Sequence, residues 1–338
     1  MEDQNAVNQM SIDIYNNDIY TGVDDAIEAD FCFSNCRIMR NRITNSYVGL
    51  SSQPGLGGPN YFIRNVMYNV IHAAYKLKRY SQGDVVLHNT VVKIGAGMAG
   101  NSAMDFAYFR NNLAIGGPDG GINWGGYGAG TPSAAQIYDP GIHSDFDYDA
   151  VGVYGISYTA KIGNKPFAEV EKNGIEKITM TEVFNNVEFP YPPVPEREVP
   201  DLRPNQSSRV VDAAVGIPNI NDNYFGNAPD CGAYEAGQEL PHYGPRSVTT
   251  ENSAIYNRHW NKQGIKVYPN PARDFLVIES KSGNSGRGNL LSNQGEIVFD
   301  FEFTGRLEFS TRDMASGIYF IRIISKDEIF IHKVIVGR

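Results

Sequence analysis

Asparagine recurs at a fixed interval through the first third of the chain. Asn17, Asn41, Asn65 and Asn89 each follow the previous one by 24 residues, in the aligned segments YNNDIY, MRNRIT, IRNVMY and LHNTVV. A fifth segment, FRNNLA, comes 22 residues later, and its Asn111 extends the series. Two apolar columns keep the same period, namely Ile14, Ile38, Phe62 and Val86, and Ile19, Ile43, Met67 and Val91. Three columns in register indicate one structural unit that is repeated along the chain.

A repeat of this length with a recurrent Asn predicts a right-handed parallel β-helix over residues 10–116. Each coil supplies short strands, and equivalent side chains stack on the coil above. Stacked Asn amides can hydrogen-bond along the stack, and Asn tolerates the left-handed conformation of tight turns. A leucine-rich repeat would need a Leu pattern that is missing here. The 35 Gly, 20 Tyr and 17 Phe residues, with no long helical runs, also favour an all-β protein.

Composition excludes several classes of partner and chemistry. The formal charge of −9 argues against nucleic acid or an anionic membrane as partner, and no apolar stretch is long enough to span a membrane. The motifs of serine hydrolases, zinc proteases and P-loop proteins are absent. Cys32, Cys36 and Cys231 allow one disulfide at most and leave an odd thiol, and we interpret the C-x3-C pair as small apolar packing.

The segment TGVDDAIEAD, residues 21–30, crowds four carboxylates into a strand-forming region. Adding one and two periods, with alternating strand faces and a one-residue offset in the middle coil, predicts one outward patch. Its members are Glu28 and Asp30, then Ser51 and Gln53, then Lys76 and Lys78. Adjacent coils lie about 4.8 Å apart, so the acids and the lysines are expected roughly 10 Å apart.

This patch has two interpretations. In the functional one, Asp25, Glu28 and Asp30 hold Ca²⁺, and Lys76 or Lys78 abstracts a proton because burial lowers a lysine pKa. The predicted substrate-binding residues are Ser51, Gln53, His72, Arg79 and Trp124. His72 lies two periods after Asp24, and Trp124 stands in the run GGPDGGINWGGYGAG, where it would stack on a sugar ring or simply pack. In the other interpretation the charges form ordinary salt bridges between coils.

Longer segments resemble a known group of proteins. VDDAIEAD, GLSSQPGLGGPNYFIRNVMYN, AYKLK and LHNTVV are similar to the bacterial right-handed parallel β-helix proteins related to polysaccharide lyases. The run VVDAAVGIPNINDNYFGNAPDCGAYEAG resembles their closing segment, whose PD-x-GAYE tail packs on the helix end. The resemblance implies coils over 1–160, a closing segment over 161–245, and a Lys or Arg base beside Ca²⁺-binding acids. No catalytic motif aligns position by position.

The composition changes after a polar stretch, residues 246–264, which is predicted to be a linker. Residues 265–338 form short alternating strands separated by turn signals, as in a small Ig-like β-sandwich. YPNPA, MASGIYFIRI and KVIV resemble the C-terminal sorting domain of the Bacteroidetes type IX secretion system. The resemblance implies a partner in the secretion machinery and a location outside the cell or on its outer membrane. The start, MEDQNAVNQM, is not a signal peptide, so we expect the chain to be the C-terminal part of a longer protein.

Three functions remain open at this point. The first is a lyase of uronate-containing polysaccharides, assisted by Ca²⁺. The second is a non-catalytic β-helix that binds glycan or acts as an adhesin, and the third is an inactive, truncated homologue. Fold alone does not select among them, because function depends on the site.

Overall fold

The computed structural model describes residues 9–124, 127–194, 196–245, 265–280, 283, 285–293, 295–325 and 328–337. The chain divides into two compact units, Met1–Pro245 and Arg246–Arg338. The predicted linker, 246–264, lies outside the described residues. No helix within the described ranges is long and apolar enough to cross a membrane.

The first unit is built almost entirely of short strands. They are β1 (Asp13–Tyr15), β2 (Asp18–Glu28), β3 (Arg37–Met39), β4 (Arg42–Ser52), β5 (Leu56–Ile63), β6 (Val66–Leu77), β7 (Ser81–Leu87), β8 (Thr90–Val92), β9 (Ala96–Asp105), β10 (Tyr108–Arg110), β11 (Leu113–Gly116), β12 (Asn123–Trp124), β13 (Tyr127–Gly128), β14 (Ser133–Asp139), β15 (Asp145–Asp147), β16 (Ala150–Val153), β17 (Ala160–Ile162), β18 (Lys165–Pro166) and β19 (Ile175–Ile178). Two single-turn helices, α1 (Phe167–Val170) and α2 (Met180–Val183), follow β18 and β19 respectively.

These strands stack into a parallel β-helix of about seven turns over residues 13–178, which confirms the predicted fold. One sheet has the order β1-β3-β5-β7-β9-β14-β17-β18, with β10 and β15 attached at β7. The other has the order β19-β16-β11-β8-β6-β4-β2. Consecutive coils pair in register, as with Ile14 opposite Ile38 and Ile38 opposite Phe62. The apolar columns of the repeat fill the interior, because they point inward at every turn.

The predicted asparagine column lies at one corner of the coils and forms a continuous hydrogen-bonded ladder. The Oδ1 atom of Asn41 accepts from the backbone N of Asn17 at 3.1 Å and from its Nδ2 at 2.9 Å. The same pair of bonds joins Asn41 to Asn65 and Asn65 to Asn89. The alignment of four asparagines is therefore confirmed.

The fifth rung was predicted wrongly. Asn112, and not Asn111, accepts both bonds from Asn89. Asn111 instead donates to Nε2 of His88 at 3.0 Å. The ladder then ends on an acid, because Oδ1 of Asp149 accepts from the backbone N and the Nδ2 of Asn112.

The corner turn also differs from expectation in its backbone. The residue before each ladder member adopts the left-handed conformation, and these residues are Asn16, Arg40, Arg64, His88, Asn111 and Tyr148, with φ between 52° and 63°. The ladder asparagines are thus selected for stacking, and their predecessors make the turn.

Residues 180–243 pack against the outer face of the second sheet. A second apolar cluster joins side chains of β6, β8 and β11, such as Tyr68, Val92 and Ile115, to Phe189, Leu202 and Tyr234. The PD-x-GAYE run lies along the side of the coils, where Gly232 donates to the Asn111 carbonyl and Ala233 donates to Thr90 Oγ1. The expectation that this run packs on the helix end is therefore wrong.

Two of the three cysteines are paired. Cys32 and Cys36 form a disulfide and are fully buried, so their interpretation as apolar packing alone was incomplete. Cys231 is a buried free thiol. A structural disulfide is typical of proteins that work in an oxidising environment.

The second unit is the predicted antiparallel sandwich. Its strands are β20 (Ile265–Tyr268), β21 (Phe275–Ser280), β22 (Ser285–Leu291), β23 (Ile297–Thr304), β24 (Arg306–Ser310), β25 (Gly317–Ser325) and β26 (Glu328–Val336). They form a three-stranded sheet, β20-β21-β24, and a four-stranded sheet, β23-β22-β25-β26. Alternate residues such as Ile278, Ile321 and Val334 point inward and form one core.

Candidate functional site

The acidic segment and the two lysines lie on neighbouring strands of the second sheet. Glu28 of β2 pairs with Ser51 of β4, and Ser51 pairs with Lys76 of β6. The register matches the predicted one-residue offset of the middle coil. The offset arises because each strand bends before this point, with register shifts between Gly22 and Asp25 and between Ser46 and Val48.

The patch is recessed, whereas the sequence predicted an open outer face. The side chain of Asp25 is fully buried and that of Lys76 is only 17% exposed. Ser51 is completely buried and Asp30 nearly so. The candidate site is therefore a partly covered recess, where charges interact more strongly than on an open surface.

Direct contacts link the acids to their neighbours in this recess. Lys76 Nζ donates to Asp25 Oδ2 at 2.5 Å, across two coils. Ser51 Oγ donates to Asp30 Oδ1, also at 2.5 Å. The long lysine side chain closes the expected gap of roughly 10 Å between acids and lysines. Asp25 Oδ1 is buried and has no hydrogen-bond partner within the described structure.

These contacts set the protonation of Lys76. Burial acts to lower its pKa, but the hydrogen bond and charge of Asp25, with the charge of Asp30, outweigh burial and raise the pKa. The expectation that Lys76 has a lowered pKa is therefore wrong. Burial also raises the pKa of the Asp30 carboxyl, although the bond from Ser51 and the charge of Lys76 oppose it.

Lys78 behaves in the opposite way. Its pKa is lowered by burial and by the positive charge of Lys76, and the charge of Asp25 only partly compensates. Two lysines of one strand thus differ in basicity: Lys76 is held as a cation, and Lys78 gives up its proton more readily.

His72 lies on the same strand, half-buried, and its ring is anchored. Its Nδ1 is 2.6 Å from the carbonyl of Gly128, so Nδ1 carries the proton and Nε2 is the basic nitrogen. The ring stacks on Tyr47, with 5.5 Å between centroids. Burial lowers the pKa of His72, and the charges of Lys78 and Lys93 lower it further, which favours the neutral imidazole.

Lys93 was not among the predicted site residues. It is fully buried, and its Nζ donates to the carbonyls of Ile94, Ala96 and Ala129. Burial lowers its pKa to about 7. Because Ala129 follows Gly128, Lys93 and His72 hold consecutive carbonyls of the same segment. The signal in the sequence was a lone lysine inside the apolar run TVVKIG.

The remaining predicted residues are more scattered. Gln53 is half-buried, and its backbone hydrogen-bonds Asp30. Arg79 is exposed, in the turn between β6 and β7, with φ of 57°. Trp124 ends the short strand β12, and its side chain lies outside what the structure describes. Glu28 is half-buried in the same column as Ser51.

The arrangement does not fit a Ca²⁺ site as it stands. Over the described residues, no group of three or more His, Cys, Asp or Glu side chains is placed to hold a metal ion. Asp25 and Asp30 are engaged by Lys76 and Ser51, although the second oxygen of Asp25 has no partner there. The binding of Ca²⁺ by Asp25, Glu28 and Asp30 stays a prediction.

Comparison with known proteins assigns the C-terminal unit. Residues 266–337 match the family described as the secretion system C-terminal sorting domain. The chain matches no curated protein. The chain is therefore a parallel β-helix that carries a type IX secretion sorting domain, and it is an exported protein, secreted or held at the cell surface.

Proposed function

We propose that this exported β-helix binds an anionic, uronate-containing polysaccharide in the recess around Lys76 and Lys78 and cleaves it by β-elimination. The observation that supports this proposal is the split between the two lysines. Lys76 is fixed as a cation by Asp25, and Lys78, two residues away on the same strand, has a lowered pKa. Neighbouring groups with diverging pKa values are typical of acid–base sites.

In this mechanism the two lysines have different tasks. The Lys76 ammonium pairs with the uronate carboxylate and makes the C5 proton more acidic. Lys78 takes that proton, the C5 electron pair forms a C4–C5 double bond, and the glycosidic oxygen at C4 leaves and is protonated by solvent. Ser51 and Gln53 lie on the intervening coil, and Tyr47 and His72 border the recess.

The test is incubation with a panel of acidic polysaccharides, followed by the absorbance of the unsaturated product. Lys78→Ala is expected to lower turnover by about 10²–10⁴-fold, the usual effect of removing a general base, while binding persists. Lys165→Ala, at an exposed lysine of β18, is the matched control and is expected to keep turnover. Unchanged turnover in the Lys78 variant would contradict the assignment.

Glycan binding without cleavage is the second candidate. It is favoured by the Lys76–Asp25 contact, because a lysine neutralised by a buried carboxylate attracts a substrate anion less strongly. If polysaccharide binds to the chain but none of the panel yields an unsaturated product, the site is a binding site and the chain is not a lyase.

A further inference from the structure

The two outer faces of the sorting domain differ in chemistry. The face of the three-stranded sheet is polar and pairs its own charges. Arg306 forms an ion pair with Glu308 at 2.6 Å, and the Tyr268 hydroxyl donates to Glu279 at 3.1 Å. These groups are already satisfied within the domain.

The face of the four-stranded sheet exposes aliphatic side chains along β25 and β26. Ile318, Ile331 and Ile335 are 42%, 45% and 40% exposed. Ile318 pairs with Ile335, and Ile331 pairs with Arg322 two rows further on, so the three isoleucines share the outward side. The inward side of the same strands is the buried core, with Val334 and Ile321 fully covered.

The charge on this face is mainly basic where the isoleucines lie. Lys333 occupies the row between them, opposite Phe320, and is exposed. It makes no ion pair with the described residues. The guanidinium of Arg322 donates from Nε to Asn289 Oδ1 at 2.8 Å, which holds this side chain on the same face.

A concavity of about 450 Å³ adjoins this surface on the same sheet. Its lining comprises Arg287, Gly288, Asn289, Asp300, Phe301, Glu302, Arg322 and Ile324. The face thus offers relief as well as apolar area, and contiguous exposed apolar surface marks interaction sites in soluble proteins.

We propose that the outer face of β25 and β26, with Ile318, Ile331, Ile335 and Lys333, is the surface by which the sorting domain docks on the secretion machinery. The partner is a machinery protein that presents an aliphatic surface bordered by carboxylates, which would cover the isoleucines and pair with Lys333. This assignment follows from the family match of residues 266–337 and from the contrast between the two faces. It does not depend on the carbohydrate site.

The test is export of the natural protein from its own cells, carrying Ile331→Glu together with Ile335→Glu. The surface or secreted fraction is expected to fall at least tenfold, with the protein accumulating in the periplasm. Phe275→Glu is the matched control, because Phe275 is 43% exposed but belongs to the three-stranded sheet, and it is expected to leave export unchanged. Lys333→Glu is expected to reduce export by charge reversal alone.

Purified variants are compared by thermal unfolding, so that a folding defect is recognised. If the double Glu variant does not fold, Ile331→Ala with Ile335→Ala removes the apolar surface without burying charge and is expected to lower export in the same direction. Normal export of folded variants would overturn the proposal. So would an equal loss of export in Phe275→Glu, or a wild-type dimer in solution that Ile335→Glu dissociates without affecting export, since the face would then bind a second copy.

Discussion

At the scale of single residues, the contact between Lys76 and Asp25 changes what a substitution is expected to do. From sequence alone, Lys76 stood on an open face, and its removal was expected to leave the melting temperature nearly unchanged. The structure places its ammonium 2.5 Å from a fully buried carboxylate. A buried charge that loses its partner is costly, so Lys76 contributes to stability as well as to the proposed chemistry.

Lys76→Ala is therefore expected to lower the free energy of unfolding by about 1–3 kcal/mol, because Asp25 is left without its donor. Chemical denaturation monitored by circular dichroism measures the loss. The double variant Asp25→Asn with Lys76→Ala is expected to recover part of it, since no buried charge remains. An additive loss in the double variant would show that the two side chains do not act as a pair.

At the scale of elements, the ladder explains how a polar residue can occupy every corner of the helix. Asn65 is fully buried, and each of its polar groups has a partner: Nδ2 donates to Asn89 and to the Ile38 carbonyl, and Oδ1 accepts from Asn41. Buried amides of this kind stabilise only when every bond is made.

Asn65→Ala is expected to cost about 3 kcal/mol, because it leaves several buried partners unsatisfied. Asn17→Ala is the control, because Asn17 is exposed at the first rung of the ladder, where water replaces the lost bonds, and about 1 kcal/mol or less is expected. Urea unfolding of both variants gives the two values. Similar losses at the two positions would contradict the cooperative ladder.

At the scale of the whole molecule, buried carboxyls make stability depend on pH. Burial raises the pKa of Asp84 from 3.8 to about 6, and burial raises the pKa of Asp149 likewise. A raised pKa in the folded chain means that folding favours the protonated acid. This stabilisation is present below about pH 4 and is lost as the pH rises to about 6.

Asp84→Asn tests this dependence, because the amide keeps an acceptor for Ser81 without titrating. Each raised carboxyl changes the free energy of unfolding by up to about 1.4 kcal/mol per pH unit within its window. Urea midpoints of the variant are therefore expected to fall less steeply than those of the wild type between pH 4 and pH 6. Parallel profiles would mean that Asp84 does not titrate in this range.

Export is the other property of the whole chain. Deleting residues 265–338 from the natural protein is expected to trap it in the periplasm, because those residues carry the matched sorting domain. The β-helix is expected to stay folded, since its strands pair within the first unit. Cell fractionation and circular dichroism of the trapped protein check both points, and normal surface display would contradict the role of the domain.

The sequence by itself determined the repeating features of this protein. The asparagine column, the apolar columns and the register of Glu28, Ser51 and Lys76 could be predicted because a β-helix places equivalent positions directly above one another. The alternating strands of residues 265–338 predicted the sandwich for the same reason, since strand faces alternate with a period of two.

The tertiary structure alone decided the features that follow no period. The Lys76–Asp25 contact depends on the bend of each strand and the length of a lysine side chain, and the end of the ladder at Asp149 comes 37 residues after Asn112. The carbonyls that hold Lys93 and His72 come from a segment outside the regular coils. Burial then sets which lysine keeps its proton, because desolvation and the nearest charge act through space and not along the chain.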